Sequence, residues 1–398
     1  MSKVYKIGDI IDVRIEKIVP RGFGIAFVEN LTVLVPLSVP GDDLRVLITE
    51  IKKRLAFAEV VEVKLAGPQR VVPPCKYFGR CGGCDFQQMS YAAQLEAKVG
   101  IIRDCLHRIG KIEYGDDIQI IPSPQELHYR SRARWHIDGD KPAIGYFARD
   151  SHNVIDVTTC PILTPETQKA FESVRESIQA ETRFDERFEV EAATDEGGNA
   201  SVLSTQLNES MAELSFVADD FTWLYSAKIF FQANKFLIQQ LTDVAVGGAS
   251  GGTAFDLYCG VGLFTLPMAK HFEKVVAVEE NSITVNFAKK NVAGAGLRNV
   301  KIVDKSVERF VSENKTKDID FILIDPPRAG TEKNVIARLA ALKPSQISYV
   351  SCEPSILARD LRILIDKGYA IEKITALDMF PQTHHVETVV RLKAEPPA

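Results

Sequence analysis

The chain has little of several things. Among its 398 residues no run approaches the 18 or so uninterrupted apolar residues of a membrane span, and no apolar stretch follows Met1-Ser2-Lys3-Val4 as a secretory leader would require. Neither a bilayer nor export is expected, and the chain reads as cytoplasmic. Positive charge is not in excess either. A formal net charge of -5 excludes a wholesale coating of nucleic acid, which relies on Lys and Arg to release counterions. Any polyanionic partner must be held by local patches. There is no internal repeat and no low-complexity tract. Cysteine is sparse and odd in number, at seven. Without a leader these cysteines fit ligation, catalysis and core packing better than disulfides.

What is present suits a globular chain of two or three domains, with 45% hydrophobic and 25% charged residues. From Tyr5 to about Leu65 the pattern is strand-like. Ile11, Val13 and Ile15 alternate with Asp12, Arg14 and Glu16, Gly22-Phe23-Gly24 breaks the run, and Pro40-Gly41-Asp42-Asp43 supplies turn chemistry. Five short strands in about 60 residues predict an OB-like barrel over 1–66, an ordinary dimerisation barrel being the alternative. Pro68, Pro73 and Pro74 mark a linker into a middle block over 67–220, with helices at 91–109 and 166–180 and strand-like segments at 131–137 and 143–147. Over 221–398 strands and helices alternate, with strands expected at 254–258, 275–278, 300–303, 321–324, 347–351, 371–378 and 388–392. No helix separates the last two. The pattern predicts a doubly wound, Rossmann-like α/β sheet with an antiparallel finish, beside a smaller α+β middle domain.

In such a sheet ligands sit at the carboxyl ends of strands, where Asp256-Leu257-Tyr258-Cys259-Gly260-Val261-Gly262 forms a strand-to-loop turn. Gly260 and Gly262 let the backbone approach a bound molecule. Glu279, ending the second strand, is placed to accept both ribose hydroxyls, and Asp325, in Asp325-Pro326-Pro327-Arg328, ends the fourth. The third glycine of a dinucleotide fold is missing, its place taken by Thr265. The arrangement instead resembles S-adenosylmethionine-dependent methyltransferases. An aromatic residue after the two prolines, usual in amine-directed members, is replaced by Arg328. Cys352, in Ser351-Cys352-Glu353-Pro354, and Glu387, in His384-His385-Val386-Glu387, read as nucleophile and base. Cys259 is a rival nucleophile whose expected role is a small buried residue, and Cys105 reads as core. Cys75, Cys81 and Cys84 form C-x5-C-x2-C, and Cys160 is a distant fourth. Four thiolates suit tetrahedral zinc or an iron-sulfur cluster, and spacing does not separate the two. In Tyr129-Arg130-Ser131-Arg132-Ala133-Arg134-Trp135, the residues Arg130, Arg132 and Arg134 fall on one strand face and Trp135 on the other. Such a stripe can hold phosphates and stack bases, or be a solvated face.

Over essentially its whole length the chain resembles the RNA 5-methyluridine methyltransferase family, which includes 23S rRNA uracil-5-methyltransferases and the tRNA uracil-54 enzyme. The resemblance implies S-adenosylmethionine as cofactor, Cys352 adding to uracil C6, and Glu387 removing the C5 proton. Phe230-Phe231-Gln232-Ala233-Asn234 matches its Phe-x-Gln-x-Asn box. That match implies Gln232 on the cofactor and Phe230 near the target base. Tyr258, Glu279, Asp304 and Asp325 match further cofactor positions. The four cysteines are similar to its [4Fe-4S] motif, and the barrel to a TRAM domain. An RNA substrate is then expected, 23S rRNA ahead of tRNA, for a monomer with no obligate protein partner. A non-catalytic iron-sulfur redox sensor that binds RNA is the reading from another class.

Overall fold

The computed structural model describes residues 4–139, 143–180, 184, 186–207, 212–331 and 333–395. The N-terminal alternation folds as six strands: β1 (Ile10–Arg14), β2 (Lys17–Val19), β3 (Phe23–Val28), β4 (Leu31–Val35), β5 (Asp43–Lys52) and β6 (Leu55–Leu65). Their order is β1-β5-β6-β4-β3-β2, antiparallel except for β4 with β6. One strand more than expected arises because the first run divides near Glu16, leaving three-residue β2 to pair with β3. Val13, Ile15, Val33, Leu44 and Val46 fill the barrel's own core.

The next segment joins a different body. Helix α1 (Tyr91–Cys105), capped by Ser90, ends in a wider turn over 106–110, and β7 (Gln119–Ile121) follows. The buried face of α1 (Ala93, Ile101, Ile102, Cys105) packs with Leu357, Leu361 and Ile374 of the C-terminal region. Strand β7 extends the C-terminal sheet. Four-residue spacing signalled the helix, but three residues of strand carry too little pattern to reveal the sheet they join.

Strands β8 (Arg132–Asp138), β9 (Ala143–Phe147), β10 (Val154–Asp156), β11 (Phe188–Thr194) and β12 (Ala200–Ser204) make an antiparallel sheet, order β10-β9-β8-β11-β12, covered by α2 (Pro165–Ala180). Its core centres on Trp135, Phe171 and Val190. A hairpin, β13 (Leu214–Ala218) and β14 (Phe221–Tyr225), leads into the last domain.

That domain runs α3 (Ile238–Val246), β15 (Gly251–Leu257), α4 (Thr265–Met268), β16 (Phe272–Glu279), α5 (Ser282–Gly294), β17 (Val300–Asp304), α6 (Val307–Glu313), β18 (Phe321–Ile324), α7 (Lys333–Ala341), β19 (Gln346–Ser351), α8 (Pro354–Asp366), β20 (Tyr369–Leu377) and β21 (Glu387–Ala394). The sheet order is β17-β16-β15-β18-β19-β21-β20-β7, parallel but for β21, the expected antiparallel finish. Strands buried on both faces need apolar cover on both. Helices α1, α6, α7 and α8 supply one layer, and α3 and α4 the other. Among the described residues no helix is long and apolar enough to cross a membrane.

Candidate active site

Parallel β15, β18 and β19 end on one edge of the sheet, where antiparallel β21 begins. This topology gathers Tyr258, Asp325, Cys352 and Glu387 from four strand ends. Ser351 pairs with Thr388, so Cys352 and Glu387 follow at neighbouring strand ends, close enough for the Glu387 charge to act on the Cys352 thiol. Glu353 then caps α8 and turns the chain away.

Burial dominates the electrostatics. The Glu387 side chain, 3% exposed, is raised to about 7 by burial, with the Arg328 guanidinium opposing. Asp325 is pushed well above the carboxylate range by burial, then by Glu387 and Asp256. Asp256 rises to about 7 through burial, although the Thr265 hydroxyl donates to it at 2.5 Å. That hydrogen bond gives Thr265 its purpose at the position a dinucleotide fold reserves for glycine. The Cys352 thiol is pushed up to about 12, first by burial and then by Glu387, with the Arg328 charge opposing. His385 falls to about 2 through burial and the neighbouring His384 and Arg328, so its imidazole is neutral. Before substrate arrives Cys352 is therefore a thiol, and Glu387 titrates near neutrality, where a general base works best.

The glycine-rich turn is tightly held. Tyr258 has φ 61°, uncommon for a residue with a side chain, and Gly262 has φ 90°, where glycine is favoured. Glu279 accepts from Gly260 N at 3.2 Å through one carboxylate oxygen and from Glu280 N and Asn281 N through the other. Asp304 pairs with Glu279 across the ends of β16 and β17. Trp223 Nε1 donates to Gly262 O (3.0 Å) and Asn291 Nδ2 to Val261 O (2.9 Å), so the hairpin and α5 brace the turn. Sequence reading had no signal for these braces, because donor and acceptor lie 39 and 30 residues apart. Cys259 is 3% exposed and its thiol is pushed far up by burial, in keeping with a core residue. Cys105 is 1% exposed.

The Phe230-to-Asn234 segment lies against β8. Arg132 donates to the carbonyls of Ser226, Ala227 and Ile229 and pairs with Glu191. Ser131 N donates to Ala233 O, and Asn234 caps the turn that follows. Gln232 is buried, whereas Phe230 is 69% exposed. The three arginines of the expected phosphate stripe have different surroundings. Arg132 donates to three carbonyls and to Glu191, Trp135 is buried against Phe171 (ring centroids 4.9 Å apart), and Arg134 is paired with Glu189 and Glu191. Arg130 and Arg134 instead line a cleft.

That cleft has a volume of about 270 Å³ and reaches from Cys75, Cys81, Cys84 and Cys160 to Arg328, Phe380 and His385. All four cysteines are free. Burial pushes the Cys160 thiol up to about 11, with Cys81 and Cys75 adding to it. Cys84 is raised by burial and then by Cys160, and Cys81 by burial and Cys75. Among the described residues no three His, Cys, Asp or Glu side chains are grouped closely enough to hold a metal ion.

The doubly wound sheet, its glycine-rich turn and the cysteine-glutamate edge, together with a β-barrel at the N-terminus, define a cofactor-dependent methyltransferase of the RNA-modifying kind. The sequence profile of the tRNA (Uracil-5-)-methyltransferase family matches residues 198–395, and that of the TRAM domain residues 5–61. An uncharacterized RNA methyltransferase of Thermotoga maritima is 30% identical over 96% of this chain and 98% of its own. One from Bdellovibrio bacteriovorus is 30% identical over 99% and 98%. The solved structure of Pyrococcus abyssi tRNA (uracil-54, C5)-methyltransferase in complex with S-adenosyl-L-homocysteine is similar over 96% of this chain and 100% of that one. The two share 26% identity and a TM-score of 0.72. The chain belongs to the TRAM-bearing RNA uracil-5-methyltransferase family, and it is an S-adenosylmethionine-dependent enzyme acting on RNA.

Proposed function

We propose that the enzyme methylates C5 of one uridine in a folded RNA through a covalent adduct, with 23S rRNA as the leading substrate. The observation that carries the mechanism is the placement of Cys352 and Glu387 at neighbouring strand ends beside the glycine-rich turn. Neutral uracil is a poor nucleophile at C5. Addition of the Cys352 thiolate to C6 breaks the C5–C6 π bond and sends its electron pair towards C5 and O4. C5 then takes the methyl group, and the S–CH3 electrons stay on the departing sulfur. Glu387 removes the C5 proton, the C5–H pair rebuilds the double bond, and the thiolate leaves. Arg328, whose positive charge lowers the Cys352 thiol, favours the thiolate. Tyr258, Gly260, Gly262, Glu279, Asp304, Asp325 and Gln232 are the residues assigned to the cofactor, and Phe230, by its exposure, to the target base. RNA is assigned to the barrel, Arg130 and Arg134.

The four cysteines are assigned to a [4Fe-4S] cluster on the strength of their motif. They line one cleft, and Cys81 and Cys75 raise the Cys160 thiol. When bound, the cluster would supply a fixed tie between the 75–84 loop and Cys160. Iron and sulfide analysis of anaerobically purified protein tests this, and zinc without visible absorbance would overturn it.

The cysteine set with the fused barrel favours the rRNA branch. A tRNA substrate is the second reading, favoured by the whole-chain likeness to the Pyrococcus tRNA enzyme, barrel included. Mapping 5-methyluridine in 23S rRNA and tRNA from a strain lacking the enzyme discriminates: loss of one rRNA site supports the first reading, and loss of a tRNA site the second.

A further inference from the structure

Residues 378–386 connect β20 to Glu387, and they are held from outside the sheet that carries that glutamate. Buried Lys98 of α1 pairs with Asp378 and donates to Phe380 O. The Tyr129 hydroxyl donates to Pro381 O at 3.0 Å. Gln382, buried and with φ 69°, exchanges hydrogen bonds with Gln94 at both its backbone N (2.9 Å) and its side chain (3.0 Å).

The remaining ties come from the cysteine loop. Asp85, next in sequence to Cys84, accepts from His384 N at 2.8 Å and pairs with His384 Nδ1. Asp85 N and Phe86 N both donate to Gln382 O, at 3.1 and 3.0 Å. The barrel closes the other side: a Cβ on Gly22, which has φ 76°, would meet His384 Cβ at 3.0 Å. Three parts of the molecule thus converge three residues before Glu387.

We propose that Asp85 is a positioning residue for Glu387: through Gln382 and His384 it fixes the start of β21 from the cysteine loop, so that the state of this loop is passed to the proton-abstracting step. The proposal rests on the covalent mechanism above and adds the device that controls one step of it. The Cys352 strand end and the glycine-rich turn do not depend on Asp85. Loosening this tie should therefore spare cofactor binding and methyl transfer but slow C5 proton removal, and the methylated adduct should accumulate.

The test uses the full chain as wild type, Asp85→Ala, His384→Ala and Glu387→Gln, with rapid quenching after mixing with S-adenosylmethionine and substrate RNA. Both tie variants should bind S-adenosylmethionine as wild type does and transfer methyl at a similar rate. They should release product about tenfold to a hundredfold more slowly, the scale on which small misplacements act, and leave a denaturation-resistant adduct. Hydrogen exchange in 380–387 should be faster in both. Wild-type release and exchange in the tie variants, while Glu387→Gln traps the adduct, would overturn the proposal alone. Joint loss of cofactor affinity and methyl transfer in both variants would also overturn it, as the mark of general damage. An untrapped Glu387→Gln would overturn the mechanism and the proposal with it.

Discussion

Two cysteine-bearing regions meet at Arg328 and are built in different ways. Cys352 stands at the end of β19, in a sheet whose register with β21 runs unbroken from Gln346 to Ser351. Its position is fixed by backbone hydrogen bonds and by cores on both faces. The loop from Cys75 to Cys84 has turns instead: Phe78 N to Cys75 O, Cys81 N to Tyr77 O, and single ties such as Gly82 N to Phe147 O. In the first region the fold places the thiol, and in the second the proposed cluster would tie the thiols to one another. The same side chain is therefore expected to fail in opposite ways, chemically in one place and structurally in the other.

The largest effect that would sharpen this contrast is Cys352→Ala. Turnover should vanish while calorimetry shows unchanged S-adenosylmethionine binding, and equal turnover would sink the mechanism. Next, Glu387→Gln should lower product release by about 10²–10⁴-fold, the usual worth of a general base, in a quench-flow assay. A stability prediction follows from Lys98, fully buried with Asp378. Lys98→Ala leaves a buried carboxylate alone and should cost about 3–5 kcal/mol by denaturant titration, and a loss below about 1 kcal/mol would show that the pair is not buried in solution. The smallest effect concerns pH. Glu387 has its folded pKa raised to about 7 from 4.5, so the folded state holds a proton the unfolded state has lost, and stability falls as pH rises from 4.5 through about 7. Glu387→Gln should reduce that slope, the share of the likewise raised Asp256 and Asp325 remaining, and variant and wild type sharing one pH profile would refute the raised value.

How much of this was legible in the sequence follows from the range of each interaction. Alternating and four-residue patterns are local, so the barrel, the doubly wound sheet and the antiparallel finish could be read, as could the strand ends that carry Asp325, Cys352 and Glu387. The short β2 and β7 could not, since three residues hold too little periodicity. The surroundings of Arg132 were hidden for a different reason. Alternation put it on the same face as Arg130 and Arg134, but not that the backbone of 226–229 would lie against that face and take its donors. The tie from Asp85 to His384 spans 299 residues and leaves no mark on either local pattern.

The central claim is that Cys352 and Glu387 act in sequence on one uridine. Purified Glu387→Gln enzyme, incubated with S-adenosylmethionine and total RNA, should yield a denaturation-resistant protein-RNA adduct that maps to a single uridine and is lost when Cys352→Ala is added. No adduct, with RNA and cofactor both shown to bind, would contradict covalent C5 chemistry and point to another acceptor atom.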